Sequence, residues 1–134
     1  MTLTTLATVP AFLAYFATAV LLLASFLTLY CVILPGAEWA RIRQGNAAAA
    51  LSLAGAALGF SLPLAAAIAH AESLPDMALW AGISLLVQLG AFAAMHLLRR
   101  DVSAAIARGD MAEAIVLAAG SVVLGLLNAA CMTP

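Results

Sequence analysis

The spacing of the charged residues constrains this chain more than any other feature. The charges are confined to three short regions, roughly residues 38–43, 72–76 and 99–113. The uncharged stretches before, between and after them are each long enough to cross a membrane, because about 20 helical residues span the hydrocarbon core of a bilayer. We therefore predict four transmembrane helices, at roughly residues 11–34, 47–69, 77–98 and 114–132.

The composition excludes the soluble classes of protein. Of the 134 residues, 66% are hydrophobic and 8% are charged, whereas an ordinary soluble domain is about 45–50% apolar and about 25% charged. A soluble chain this short cannot hide so much apolar surface, because small domains keep much of their surface wet. The chain is expected to be a single all-α membrane domain over residues 1–134, and not a soluble enzyme or a nucleic-acid-binding protein.

The basic residues predict the orientation. All five lie after the first and third spans, and none lies in the loop at residues 70–76. By the positive-inside rule both arginine-bearing loops are cytoplasmic, which places both termini and the 70–76 loop in the periplasm. Short helices at about residues 37–44 and 101–108 are expected to lie at the cytoplasmic interface. Contacts with lipid or with a partner are expected from six side chains in these loops: Trp39, Arg41, Arg43, Arg99, Arg100 and Arg108.

The chain repeats itself at an offset of 64 residues, with matches that include Ile42 and Ile106, Gly45 and Gly109, and Asn46 and Asp110. Glycine at a helix C-terminus adopts the left-handed conformation that ends the helix, and Asn or Asp after it is a good N-cap for the next helix. Asp110 and Glu113 resemble a capping box. We predict a tandem parallel repeat of two helical hairpins, about residues 11–69 and 77–132, each with a short interfacial helix.

Small residues predict which spans pack most closely. Span two carries Gly55-x-x-x-Gly59, and span four carries Ser121-x-x-x-Gly125. Such patterns let helix backbones approach closely. Spans two and four are therefore expected to form the packed centre of the bundle, and span one is expected to face lipid. The pattern leaves open whether span two packs within its own chain or between chains.

Three residues inside the spans have two interpretations. Gln88 is near the middle of span three, while Pro63 and Asn128 lie towards the outer ends of spans two and four. Gln88 is expected to face inwards, towards a serine or a backbone carbonyl, since an unsatisfied amide in lipid costs several kcal/mol. Pro63 cannot donate to the carbonyl of Gly59, and Asn128 is a candidate partner for that carbonyl. The three residues either hold helices together or line a path for a solute.

No metal or cofactor site is predicted. His70, Glu72 and Asp76 share the outer loop, but Asp76 suits the start of the next helix, where the helix dipole favours an acidic side chain. Cys31 and Cys131 are expected at opposite faces of the membrane, which is too far apart for a disulfide. The spans contain no group of ionisable side chains of the kind that catalyses a reaction inside a membrane, so a protein without enzymatic activity is expected.

Several motifs resemble those of a known family. They are Glu38-Trp39, Asn46, Gly55-x-x-x-Gly59, Pro63-Leu64, Ser73-x-Pro75-Asp76, Trp80-x-Gly82, Gln88 and Asn128-Ala-Ala-Cys-Met-Thr133. In this region the chain resembles the YjfL-like small bacterial inner-membrane proteins, a group classed as a domain of unknown function. The resemblance implies a four-helix inner-membrane protein made from two copies of a two-helix unit, and it implies no activity. The chain departs from the family at His96, where relatives tend to carry a basic residue.

Two functions are compatible with these features. The first is a non-enzymatic structural or accessory protein that self-associates or joins a complex in the membrane. The alternative is a small oligomeric channel or transporter, with Gln88, Asn128 and the kink expected at Pro63 along its path. Both interpretations place the protein in the lipid bilayer, and neither includes a nucleic-acid partner.

Overall fold

Long and short helices make up the described part of the chain, which is residues 3–33, 38–99 and 101–132 of a computed structural model. The short helices are α1 (Leu3–Ala7), α3 (Glu38–Arg43) and α6 (Val102–Ala107). The long helices are α2 (Val9–Ile33), α4 (Ala47–His70), α5 (Leu74–Leu98) and α7 (Met111–Ala130). All four long helices are long and apolar enough to cross a membrane. The predicted all-α membrane class and the predicted number of spans are confirmed.

The helix ends differ slightly from the predicted ones, because side chains cap the helices earlier. Ser73 caps α5, and its Oγ accepts a hydrogen bond from the backbone N–H of Asp76 at 3.3 Å, so the helix begins at Leu74 rather than at residue 77. Asp110 is the N-cap of α7, so that helix begins at Met111 rather than at residue 114. Helix α1 was not predicted. Residues 34 and 37, at the ends of predicted elements, lie outside the described residues.

Helix α4 lies at the centre of the bundle. It packs against α7, α5 and α2, and its contact with α7 is the most extensive of the three. Only 11% of the most apolar stretch of α2 is buried, against 44% for α4. Helix α2 therefore offers most of its surface to the surroundings, with Phe12 and Phe16 on its exposed side.

Helices α4 and α7 run side by side in the same direction. Each follows a short helix and a glycine with positive φ, which is +86° at Gly45 and +79° at Gly109. Glycine adopts this left-handed conformation without steric cost, which allows the sharp turn between each short helix and the long helix that follows it. The side chain of Asn46, at the start of α4, donates to the carbonyl of Ile106, just before α7, at 2.9 Å. The two long helices therefore begin next to each other.

An aromatic cluster joins the C-terminal half of α2 to the bundle. It consists of Phe26 and Tyr30 of α2, Phe60 of α4 and Phe92 of α5, all of which are buried. The ring centroids of Phe26 and Phe60 are 4.6 Å apart, and those of Tyr30 and Phe92 are 4.7 Å apart. Ring pairs at this distance contribute about 0.5–1.5 kcal/mol beyond the area they bury. This cluster has no signal in the sequence, because its members are far apart along the chain.

Candidate functional site

The contact between α4 and α7, here called the seam, is built on Gly55 and Gly59 of α4 and on Ser121 and Gly125 of α7. A Cβ atom added at Gly55 would lie 2.5 Å from the Cα of Ala118. At Gly59 it would lie 2.7 Å from the carbonyl carbon of Ser121, and at Gly125 it would lie 2.7 Å from the carbonyl carbon of Gly59. Real Cβ atoms essentially never come so close to backbone. Only glycine therefore fits at positions 55, 59 and 125. The seam joins two helices of the same chain.

The carbonyl of Gly59 lacks its usual helical partner and lies against Gly125. Pro63 is buried inside α4 and has no N–H, so the hydrogen bond that this residue would donate to Gly59 is missing. The hydrogen that stands in place of a side chain at Gly125 points towards the Gly59 oxygen. A Cα–H···O contact of this kind recurs where two helices approach closely. The seam thus covers the acceptor that Pro63 leaves without a donor.

Gln88 of α5 reaches the seam from the side. Its side chain is buried, and its Nε2 donates a long hydrogen bond of 3.4 Å to the carbonyl of Ser121. The same Nε2 lies 3.1 Å from the position of a Cβ atom added at Gly59. Its Oε1 is buried and has no hydrogen-bond partner among the described residues. Three helices therefore meet at Gln88, and one acceptor there is unsatisfied.

The predicted hydrogen bond between Asn128 and the carbonyl of Gly59 is wrong. Asn128 Nδ2 instead donates to the backbone carbonyl of Ser84 in α5 at 3.3 Å. Gly125, one turn before Asn128, already covers the Gly59 carbonyl, so the amide extends towards α5. The hydroxyl of Ser84 donates to the sulfur of Met132 at 3.3 Å. Asn128 therefore ties α7 to α5 outside the seam.

Asn46 caps α4 and also connects the two arginine-bearing loops. Its Oδ1 accepts a hydrogen bond from the N–H of Ala49 at 3.1 Å, which satisfies one of the free donors at the helix start. Its Nδ2 donates to the carbonyl of Ile106 at 2.9 Å. The sequence predicted the cap, whereas the connection to Ile106 has no signal in the sequence because it joins residues far apart in the chain.

Asp110 caps α7, but Glu113 does not complete a capping box. The Oδ1 of Asp110 accepts from the N–H of Glu113 at 3.3 Å. The backbone N–H of Asp110 already donates to the carbonyl of Ala105 at 3.0 Å. The carboxylate of Glu113 therefore turns away and forms an ion pair with Arg99 at the end of α5. Both partners are partly exposed, and such pairs contribute little to stability, about 0–1 kcal/mol.

The remaining residues of the predicted interface, one tryptophan and the other arginines, are spread over the two short helices and their ends. Trp39 and Arg43 are exposed on α3. Arg41 is half-buried, and its Nη1 has no hydrogen-bond partner among the described residues. Arg108 is exposed at the end of α6. Arg100 lies outside the described residues.

A shallow pocket of about 340 Å³ lies at the other end of the bundle, with His70, Asp76, Cys131 and Met132 in its lining. Asp76 is engaged locally, because its Oδ2 accepts from the backbone N–H of Glu72 at 3.2 Å. Within the residues that the structure describes, no three His, Cys, Asp or Glu side chains are grouped to hold a metal ion. Cys131 is exposed at this end, whereas Cys31 is half-buried on α2.

These features define a class of protein. It is a multi-pass helical membrane protein in which two parallel spans meet through glycines and a third span contributes a buried amide to their contact. The buried side chains lie mainly on α4 and on the faces of the other helices that turn towards it.

The family described as Domain of Unknown Function (DUF350) matches residues 3–132, and the chain belongs to this family. Similar proteins are the UPF0719 inner membrane protein YjfL of Escherichia coli (strain K12) and the protein of the same name from Escherichia coli O157:H7. Each is 38% identical over 123 residues, which cover 92% of this chain and 93% of the relative. No solved structure matches the chain. The resemblance to YjfL-like proteins is confirmed, and the four apolar helices and these relatives support a multi-pass inner-membrane location.

Proposed function

We propose that this protein is a non-enzymatic accessory component of the bacterial inner membrane, which acts by associating with a second copy or with another membrane protein. In this proposal both termini face the periplasm, as the distribution of arginines favours. The main support comes from the outward face of α5, defined here by Leu79, Gly82, Ile83, Leu86 and Gly90.

The outward face of α5 is apolar and carries glycines that none of the described helices covers. Leu79 and Leu86 are 61% and 70% exposed. A Cβ atom added at Gly82 or Gly90 would meet nothing within 4 Å. Glycine inside a helix is less stable than alanine by about 0.5–1 kcal/mol, and small residues on membrane helices favour close contact with another helix. This pair of open glycines on an apolar face is the observation that carries the proposal.

Disulfide cross-linking in native membranes tests the association. In a variant without Cys31 and Cys131, Leu86→Cys is expected to form a dimer or an adduct of larger mass under oxidising conditions. Phe16→Cys, at an exposed position on α2, is the matched control and is expected to remain monomeric. Replacing both Gly82 and Gly90 by Leu is expected to abolish the adduct without lowering the melting temperature. A Leu86→Cys variant that remains monomeric would contradict the proposal.

Reporter fusions test the orientation separately. Reporters inserted at residues 42 and 106 are expected to give cytoplasmic signals, and a reporter in the 70–76 loop is expected to give a periplasmic one. A periplasmic signal at either of the first two positions would overturn the proposed orientation and would leave the association through α5 unaffected.

A channel or transporter is a second candidate, which one observation favours. The Oε1 of Gln88 is buried in the interior of a span and has no hydrogen-bond partner in the part of the chain that the structure describes. In membrane proteins, polar side chains inside a span often mark a water-filled path. Flux into liposomes that contain the purified protein tests this function. Gln88→Leu is expected to reduce the flux, because it removes the amide. Flux that is absent under every ion gradient, or unchanged in the variant, would exclude the channel.

A further inference from the structure

A continuous groove runs along α4 and α7, on the side of the seam that faces away from α5. Its polar end is a cavity of about 420 Å³ between the two arginine-bearing loops, with Asn46, Arg108 and Gly109 in its lining. Its apolar part has a volume of about 460 Å³ and is lined by residues of α4 and α7 alone. Leu58, Ile115 and Val123 in this lining are 61%, 55% and 53% exposed, so the groove is open to its surroundings.

The two parts form one groove because their lining residues follow each other at helical spacing. On α4 the polar end includes Ala47, and the apolar part continues with Leu51, Ala54, Gly55 and Leu58. On α7 the polar end includes Met111, and the apolar part continues with Ile115, Ala118, Ala119 and Val122. Steps of three and four residues keep side chains on one face of a helix. The apolar part therefore begins one helical turn beyond the polar end on both helices, and together they lead from the loops into the membrane.

The length of the groove matches one leaflet of a bilayer. From residue 47 to residue 58, α4 rises about 16 Å at about 1.5 Å per residue. The hydrocarbon core of a bilayer is about 30 Å thick, so one leaflet contributes about 15 Å. A groove that begins at the loops and ends near the middle of the membrane has the length of one acyl chain.

The polar end of the groove is cationic. Arg108 lines it and is exposed. Neither nearby carboxylate lines the cavity, because that of Glu113 pairs with Arg99 and that of Asp110 accepts from the N–H of Glu113 at the start of α7. The charge of Arg108 is thus available to an anionic group at the level of the lipid headgroups.

We propose that this groove binds one anionic glycerophospholipid from the leaflet on the arginine side. The phosphate lies beside Arg108, and one acyl chain lies between Leu58 of α4 and Ile115 of α7. The apolar part requires a hydrocarbon chain, which free phosphate lacks, and the cation favours an anionic headgroup over a zwitterionic one. This site is distinct from the accessory function proposed above, which uses the outward face of α5.

Native mass spectrometry of the full chain in detergent tests the headgroup preference. With phosphatidylglycerol and phosphatidylcholine of equal chain length, one phosphatidylglycerol is expected to stay bound in preference to phosphatidylcholine. Arg108→Gln is expected to lower the retention of phosphatidylglycerol about fivefold, the contribution of one cationic side chain at an anionic surface. Arg108→Lys is the matched control, because it keeps a positive charge at the same place in the groove, and it is expected to retain phosphatidylglycerol as the original protein does. Equal retention of both lipids, or no effect of Arg108→Gln, would overturn the proposal.

A phosphatidylglycerol with a photoreactive group in its acyl chain tests the position of that chain. Adducts are expected on peptides that contain residues 51–58 and 115–123. The variants Ala54→Leu and Ala119→Leu, which fill the groove, are expected to lose these adducts, whereas Ala94→Leu on the exposed side of α5 retains them. Adducts confined to other helices would contradict the site. A dimer that Ala54→Leu disrupts would show that a second copy of the chain occupies the groove instead.

Discussion

The seam and the outward face of α5 both carry glycines on one side of a membrane-spanning helix, but only the seam is closed. At Gly55, Gly59 and Gly125 an added Cβ atom would collide with the backbone of the neighbouring helix. At Gly82 and Gly90 it would meet nothing within 4 Å. The residue type is the same in both regions, so the difference comes from the partner helix. A glycine in a membrane helix permits close approach, and whether the approach occurs depends on what lies opposite.

The seam also contains more hydrogen-bonding groups than the outward face of α5. The carbonyl of Gly59 lies against Gly125, the carbonyl of Ser121 accepts from Gln88, and Asn46 connects the loops at one end. Without water, helices in lipid are held by close van der Waals packing and by such polar contacts. The comparison predicts large effects of substitution in the seam and small effects on the outward face of α5.

The largest effect is expected from Gly125→Ala. The new methyl group would collide with the carbonyl group of Gly59, which belongs to the backbone and cannot move without displacing α4. We expect a loss of about 3 kcal/mol in the free energy of unfolding, the upper end of the usual cost of overpacking. Denaturant titration in micelles, followed by circular dichroism, measures this loss.

Gly120→Ala is the matched control for this experiment. It lies on the same helix, and its added Cβ atom would meet only the flexible end of Met95, at 3.6 Å. It is expected to be as stable as the original protein or slightly more stable, because alanine is favoured over glycine inside a helix. If both substitutions lower the free energy of unfolding equally, the close contact at the seam does not account for the loss.

A smaller effect is expected from Asn46→Ala at the end of the seam. The substitution removes the cap of α4 and the hydrogen bond to Ile106. Loss of a cap costs about 0.5–2 kcal/mol, so we expect a loss of about 1–2 kcal/mol in the same measurement. Asn46→Ser keeps a capping oxygen but is too short to reach Ile106, and it is expected to lose less. Equal losses in the two variants would mean that the cap contributes nothing.

The spans and their caps could be predicted from the sequence because their signals are local. The gaps between charges indicate where a helix can lie in lipid, and this depends on few long-range contacts. The N-caps follow from the glycines and Asx residues at the two loops, where each side chain bonds to a backbone group three residues later. The number of spans and the helix starts near Ala47 and Met111 are therefore close to the prediction.

The partners of the buried polar groups could not be predicted, because they depend on how the helices rotate against one another. The sequence indicated that Gly55 and Gly59 favour close packing and left open whether their partner belongs to the same chain. The bond expected between Asn128 and Gly59 is wrong because Gly125 occupies that position. The capping role expected for the Glu113 carboxylate fails because the backbone N–H of Asp110, its donor in a capping box, already donates to Ala105, and because Arg99 is near. In each case a residue from another helix decided the outcome.

The hydrogen bond between Asn128 and Ser84 provides a test of a contact outside the seam. Asn128→Leu removes the amide that ties α7 to α5, and Leu suits an apolar site of similar size. Hydrogen bonds between membrane helices contribute about 0.6 kcal/mol on average, so we expect a loss of about that size in the free energy of unfolding. A loss as large as that of Gly125→Ala would show that the contact between α5 and α7 is as important as the seam.

The smallest effect is expected from Gly90→Ala on the outward face of α5. The added methyl group meets nothing, so no packing is lost. Alanine is favoured over glycine inside a helix by about 0.5–1 kcal/mol, which predicts a protein that is equally stable or slightly more stable in dilute micelles. If Gly90→Ala instead lowers the free energy of unfolding, Gly90 must already be in close contact with a helix of another molecule. That destabilisation would then disappear when the protein is diluted. Measuring the unfolding of Gly90→Ala at two protein concentrations therefore separates a face that only lipid covers from a face that another helix covers.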